Sequence, residues 1–354
     1  MNKEKDFLKE YVNTPSPSGF ELQLGGQQVW IDYVKDFVYE VKIDLYGNAY
    51  AYYNKPNKDK KTILVDAHAD EIGFLVHDID DKGYIKITRL GGSDILTTPA
   101  ARVNIWKEDG TSVSGVFGHP AIHVQDKYEV KLENVFVDIG VSSRKEVEEL
   151  GIEIGNPITM QDGYFDLPNN YCGRSLDDKI GGFITSQVLK QLNENNVALN
   201  FNLVIVNAVM EEVGLFGAKL AADKIKPDVA IAIDVCHDTT SPAYNRGKQG
   251  HVVGGEGCVL MSAPAVQKNL LKILKDTAKD NNIDYQMISS GGGTGTNTDR
   301  YFLNSATSAL ISIPMKYMHT VSEVISKKDV QSAIDLLYNV LESENIIKNL
   351  SLII

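Results

Sequence analysis

One stretch constrains this chain more than any other: Asn202-Leu-Val-Ile-Val-Asn-Ala-Val-Met-Glu-Glu-Val-Gly-Leu-Phe-Gly-Ala218. Leu203 to Val209 is apolar and rich in valine, the pattern of a strand buried on both faces. Glu211 and Glu212 follow where that strand ends, and a glycine-containing turn leads into a helical pattern, Ala218-Lys-Leu-Ala-Ala-Asp223. Strand, acidic turn and helix in that order point to an open α/β sheet, whose ligands bind in the crevice outside the carboxyl ends of the strands. Adjacent glutamates placed there repel each other and lose hydration, so a metal ion is the economical partner. Taken alone, the pair reads equally well as a solvated Glu-Glu favoured by a helix dipole.

The other strand ends decide between these readings. Thr62 to Gly73 reads as a second buried strand that delivers His68 and Asp70 at its end. Residues two apart on an extended chain point the same way, so Asp70 is placed to orient the His68 ring. Val229 to Val235 is a third buried strand, closed by Asp234, and Thr307 to Pro314 is a fourth, followed by His319. Asp177 and Asp178 precede a helical pattern that runs to about Leu192 and includes the close-packing pair Gly181-Gly182. Each acid has an ordinary explanation, N-capping among them. Six such residues at one sheet edge, His68, Asp177, Glu211, Glu212, Asp234 and His319, have a common one. Histidine and carboxylate donors without cysteine suit zinc, cobalt or manganese. One closed site needs about four ligands. Five ligands and a spare carboxylate suit two metals, with the spare as general base.

Between about 74 and 163 the texture changes to short alternating strands (Phe74–Val76, Tyr84–Thr88, Val103–Trp106, Val113–Phe117, Val135–Ile139, Ile158–Met160) separated by turns such as Asp80-Asp-Lys-Gly83. Only Arg144 to Leu150 reads as helical there. This is an all-β module, a small barrel or sandwich, inserted into an α/β pattern that resumes afterwards. The expected organisation is 1–73 and 164–354 as two parts of one domain, with 74–163 as the insertion. His119 and His123 fall in the insertion with no carboxylate partner nearby and are left out of the site. Upstream, residues 3–12 and 20–40 read as helical, Tyr39–Leu45 and Ala49–Tyr53 as a hairpin, and Asp329 to Leu341 as a final amphipathic helix. The glycine-rich run Ser289 to Asp299 lacks the Gly-Lys-Ser/Thr of a phosphate loop and the spacing of a dinucleotide fingerprint, so no nucleotide cofactor is expected.

A formal net charge of −12 argues against nucleic acid or an anionic membrane as partner. No apolar run approaches the roughly 18–20 residues of a membrane span. Cys172, Cys236 and Cys258 are an odd count without CxxC spacing, as for free thiols in a reducing compartment, and the expected setting is cytoplasmic.

Five segments together, His-Ala-Asp-Glu-Ile-Gly (68–73), Ser-Leu-Asp-Asp-Lys-Ile-Gly-Gly (175–182), Glu-Glu-Val-Gly-Leu-Phe-Gly-Ala (211–218), Ile-Asp-Val (233–235) and Met-His-Thr-Val-Ser-Glu-Val (318–324), resemble the M42 family of metallo-aminopeptidases, the TET-type glutamyl or leucyl enzymes often labelled cellulase or endoglucanase. The resemblance covers nearly the whole chain in order. It implies a doubly wound, mixed-sheet α/β peptidase domain with an inserted all-β domain, barrel or PDZ-like, that mediates dimerisation and assembly into hollow dodecamers. It implies two divalent metals per subunit, zinc or cobalt with manganese as a further candidate. By resemblance, His68 and Asp234 hold one metal, Glu212 and His319 the other, and Asp177 bridges them. Glu211 is then the general base and Asp70 the group that orients His68. Short peptides with a free N-terminus are the implied substrates. The run Gly-Gly-Gly-Thr-Gly-Thr-Asn-Thr-Asp299 departs from the family's Gly-Thr-Asp-Ala, so side-chain preference does not carry over.

Other readings compete with this one. A related dimetal deacylase or carboxypeptidase needs an arginine for the substrate carboxylate, for which Arg174 and Arg300 are candidates. A glycoside hydrolase needs only two carboxylates and leaves the histidines idle. A non-catalytic scaffold would tolerate loss of a ligand, yet all six positions are filled.

Overall fold

The computed structural model describes residues 3–124, 129–161, 163–242, 244–343 and 345–348. Its frame is an eleven-stranded mixed sheet. The four strands at its heart, Asn202–Ala208, Thr62–His68, Val229–His237 and Thr307–Lys316, lie side by side and parallel. They are the apolar runs singled out above, buried on both faces as parallel strands are. Alternation along Thr62–His68 sorts its side chains into two layers: Ile63, Val65 and Ala67 join the larger core, and Leu64 the smaller. The larger core holds the helices Leu176–Glu194, Lys268–Asp280 and Lys327–Glu342; the smaller lies under Phe216–Ile225 and Thr298–Leu303.

The strands from Gly73–Ile79 to Pro157–Met160 close into a six-stranded barrel with a core of its own, built by alternation at Ile85/Ile87 and Val103/Ile105. Its first strand leaves the sheet within five residues of His68. Gly73 permits that departure, since a Cβ there would sit 2.7 Å from the Ile158 carbonyl oxygen.

Some expectations need correction. Of 20–40, only Gly26–Val34 is α-helix, with a 3-10 turn at Lys35–Phe37. Gly25 at φ 95° delays the helix start. Thr298–Leu303, which starts at the end of the glycine-rich run 289–299 and continues past it, is a short helix, and the strands Cys258–Ser262, Tyr285–Ser289, Asn170–Gly173 and Glu323–Ser326 were not foreseen.

A buried ion network ties the N-terminal segment to this frame. The Glu71 carboxylate accepts from Ser16 N at 2.8 Å and from Arg174, with Lys179 Nζ 3.8 Å away. Arg174 and Lys179 also donate to the carbonyls of Asn13 and Thr14. Burial pushes Lys179 down to about 7. Removing one partner from such a network strands the others. We therefore expect Glu71→Gln to destabilise the fold by about 3–5 kcal/mol, read as a lower urea midpoint at unchanged m-value. Glu71→Gln combined with Arg174→Met should recover part of that loss.

Candidate metal centre

Register brings the site together. Ala232 pairs with Asp66 across two parallel strands, so His68 and Asp234, each two residues further on, come level at the carboxyl edge. Ala208 pairs with His68, which places Glu211 and Glu212 in the turn just beyond. Asp177 opens the helix Leu176–Glu194, and His319 follows the strand Thr307–Lys316.

Asp177 lies between the two histidines. Its Oδ1 is 3.2 Å from His68 Nε2 and its Oδ2 is 3.4 Å from His319 Nε2. His319 Nε2 is also 3.3 Å from Glu212 Oε1, and His68 Nε2 is 3.9 Å from Glu211 Oε2. Donor atoms of His68, Asp177 and Glu212 all lie within 4.8 Å of one another, as do those of His68, Asp178 and Asp234. All six residues singled out from the sequence thus converge on one crevice. Asp178 stands behind them, accepting from the backbone amides of His68 and Gly181.

Asp70 does more than face a ring. His68 Nδ1 is 3.1 Å from the Asp70 carbonyl oxygen and 3.4 Å from its carboxylate. That carboxylate also accepts from the amides of Glu211 (2.9 Å) and Glu212 (3.2 Å) and from Ser18 Oγ (2.6 Å). One buried acid therefore fixes the histidine and the glutamate turn together. Glu323, which the sequence reading passed over, does the same on the other side, where its two oxygens accept from His319 N at 3.0 Å and Asp177 N at 3.1 Å. A buried acid within the His-Thr-Val-Ser-Glu run was the available signal. The barrel side contributes Gly91 and Gly92. His319 Nδ1 lies 3.2 Å from the Gly92 carbonyl oxygen, and a Cβ on Gly92 would come 2.8 Å from that nitrogen.

The electrostatics follow from crowding. Burial, with Asp234 and Glu212 adding to it, pushes Glu211 up to about 10, against the opposing pull of His68. Burial likewise lifts Asp234 to about 8 and raises Glu212. Asp177 goes the other way: hydrogen bonds from both histidines outweigh its burial and hold it low. Bonds to Asp177 and Glu212 raise His319 to about 11; His68 is raised too, because Asp177, Asp70 and Glu211 outweigh its burial. Carboxylates outnumber imidazoles in this crevice, an imbalance that divalent cations would offset. The nitrogen and oxygen donor set fits zinc, cobalt or manganese.

Other candidates go elsewhere. His119 and His123 are exposed in the barrel and belong to neither donor group found among the described residues. Arg174 is committed to Glu71, and Arg300 donates to the Gly214 carbonyl at 2.9 Å. The three cysteines are unpaired.

Comparison with known proteins now adds to the geometry. Residues 47–336 match the M42 glutamyl aminopeptidase profile. The chain is 31% identical over 347 residues to lysyl aminopeptidase of Pyrococcus furiosus, covering 95% of this chain and 96% of that one. Among solved structures, an aminopeptidase of the archaeon Desulfurococcus kamchatkensis superposes with a TM-score of 0.88 at 29% identity, over 96% of this chain and 94% of that one. The TET1 peptidase of Pyrococcus horikoshii, which can assemble into a tetrahedron or a large octahedral shell, gives 0.82 at 27% identity over 96% and 99%. Together these define a peptide hydrolase with a mixed α/β fold. The chain belongs to the M42 family of peptidases, whose members are metal-dependent.

The supports beneath the crevice are open to test. A glutamine at 323 would turn an NH2 group toward one of two N–H donors. Glu323→Gln and Gly92→Ala are each expected to weaken zinc retention about 10–100-fold, measured by competition with a chromophoric chelator while circular dichroism stays unchanged. Unaltered retention in both would remove Glu323 and Gly92 from this role.

Proposed function

We propose that this chain is a dimetal aminopeptidase that releases the first residue from short peptides. The observation that carries this reading is Asp177, which offers one oxygen to each of two histidines and groups with His68 and Glu212, while His68 also groups with Asp178 and Asp234. His68 and Asp234 would hold one ion, Glu212 and His319 the other, and Asp177 both. When bound, such ions lower the pKa of water and polarise a carbonyl.

The remaining work belongs to side chains. Glu211 has no partner in the donor groups and a carboxylate held up by burial, with His68 as its nearest cationic neighbour. It would take a proton from the attacking water and return it to the leaving amine. Added positive charge would draw its pKa down toward neutrality, where a base works best. Asp70 keeps Glu211 and His68 in fixed relation through the Glu211 amide. The deacylase or carboxypeptidase alternative lacks support, because both candidate arginines are committed to protein partners.

The same proposal includes the assembly. The barrel, taken as an insertion spanning 74–163 between peptidase segments 1–73 and 164–354, is the assembly module, forming dimers and from them a dodecameric shell. The self-assembling TET1 relative supports this. A cytoplasmic setting accords with three unpaired thiols.

A peptide panel with free and N-acetylated termini tests the activity. Release of only the first residue, from free termini only, in zinc or cobalt and not after chelation, is the expected result; cleavage of acetylated peptides would overturn it. Glu211→Gln should lower kcat by about 10²–10⁴-fold with metal content intact, and an active variant would remove Glu211 from the base role.

A further inference from the structure

The metal-binding cluster lines one part of a larger cavity of about 640 Å³ that extends past it. It runs along the carboxyl ends of the strands toward the loop Thr294–Thr296. Beyond the cluster its wall is formed by Val252, Met261, Ile288, Leu310 and Met318, with Gln249 and His237 toward one side. Among the described residues lining it, none outside the cluster is an aspartate, glutamate, lysine or arginine.

Met261 and Ile288 anchor this wall. They are register partners on the parallel strands Cys258–Ser262 and Tyr285–Ser289, so their side chains stand together on one face. Three charged side chains from the neighbouring segments have protein partners. Asp299 accepts from Thr294 N (2.8 Å), Thr294 Oγ1 (2.9 Å) and Gly295 N (3.0 Å), which also fixes the atypical glycine-rich loop as a rim. Arg300 is held by the Gly214 carbonyl. Lys316 lies against Asp238. A lysine or glutamate side chain lying against this wall would lose water and meet no counter-charge among the wall's own residues, whereas an apolar one would gain contact with apolar side chains.

We propose that this cavity receives the side chain of the first residue and selects uncharged, apolar ones such as leucine, methionine and phenylalanine, with Met261 and Ile288 setting the preference. The assignment rests on the aminopeptidase reading above. It separates this chain from relatives whose names specify lysyl or glutamyl substrates.

The test is hydrolysis of Xaa-Ala dipeptides by the metal-loaded protein. The expected kcat/KM for leucyl is at least about 100-fold above lysyl and glutamyl. Ile288→Glu should lower the leucyl-to-lysyl ratio by at least about 10-fold through a gain on lysyl peptide. Met261→Ala, which adds space and no charge, should raise the phenylalanyl-to-leucyl ratio and keeps the test alive if Ile288→Glu fails to fold. A wild-type preference for lysyl or glutamyl peptides, or ratios unmoved in both folded variants, would overturn the assignment and leave the aminopeptidase reading standing. Calorimetric titration of leucine, lysine and glutamate into zinc-loaded Glu211→Gln protein supplies a binding readout. Tight leucine binding without turnover of any peptide by the wild type would sink the aminopeptidase reading and uphold the pocket. Binding of lysine or glutamate in preference to leucine would overturn the pocket.

Discussion

Five carboxylates crowd one crevice in this molecule, and much of the surrounding structure keeps them there. Repulsion among Glu211, Glu212, Asp177, Asp178 and Asp234 would spread them apart if their backbones were free to move. Their attachment prevents it. Asp234 projects from a strand paired on both sides, the amides of Glu211 and Glu212 are bonded to Asp70, and the Asp177 amide is bonded to Glu323. The strand ladder carries the load at Asp234, and the buried acids Asp70 and Glu323 carry it at the other backbones. Divalent ions bound there would relieve the crowding.

The barrel closes the crevice from the other side. Its first strand departs at Gly73, three residues after the Asp70 that orients the donors, and the loop after its second strand returns Gly91 and Gly92 against Glu212 and His319. Both contacts need a missing Cβ: at Gly91 it would meet Glu212 at 3.2 Å, at Gly92 the His319 ring. A module that folds around its own core thus also sets the position of one histidine. Because the proposed assembly would load the same barrel, contacts between subunits could bear on the geometry of the site through this loop.

How much of this was legible from the chain depends on the range over which each feature is determined. The central strands were readable because burial on both faces leaves a continuous apolar run, and their terminal acids were conspicuous against it. His68, Asp177, Glu211, Glu212, Asp234 and His319 could each be singled out for that reason. Their convergence is a matter of register, which no single run contains. Glu323 was missed because its partners are backbone amides at 177 and 319, with no side-chain pattern to mark them. Gly92 was missed because its function is to lack an atom facing a residue far along the chain. The strands Asn170–Gly173 and Tyr285–Ser289 are short, and their polar or half-exposed residues leave little hydrophobic signal. The helix Thr298–Leu303 hid behind glycines. It is held instead by buried Asp66, which accepts from Asn297 at 2.7 Å and Tyr301 at 3.0 Å.

The architecture also separates chemistry from selection. All the donors but Asp177 stand on or beyond the parallel strands at the centre of the sheet, where a shift of register would move every side chain to the opposite face. The proposed specificity wall stands on Cys258–Ser262 and Tyr285–Ser289, a parallel pair that hangs off the main sheet through a short antiparallel contact with the strand Thr307–Lys316. Tyr285–Ser289 has a strand neighbour on one side only, and its side chains are half-exposed or exposed. Substitutions there alter what the cavity contacts while leaving the central ladder intact. A fold arranged in this way would let the accepted side chain change without rebuilding the metal-binding crevice, which would account for relatives named for lysyl and glutamyl substrates sharing one scaffold with a chain whose proposed specificity wall is apolar.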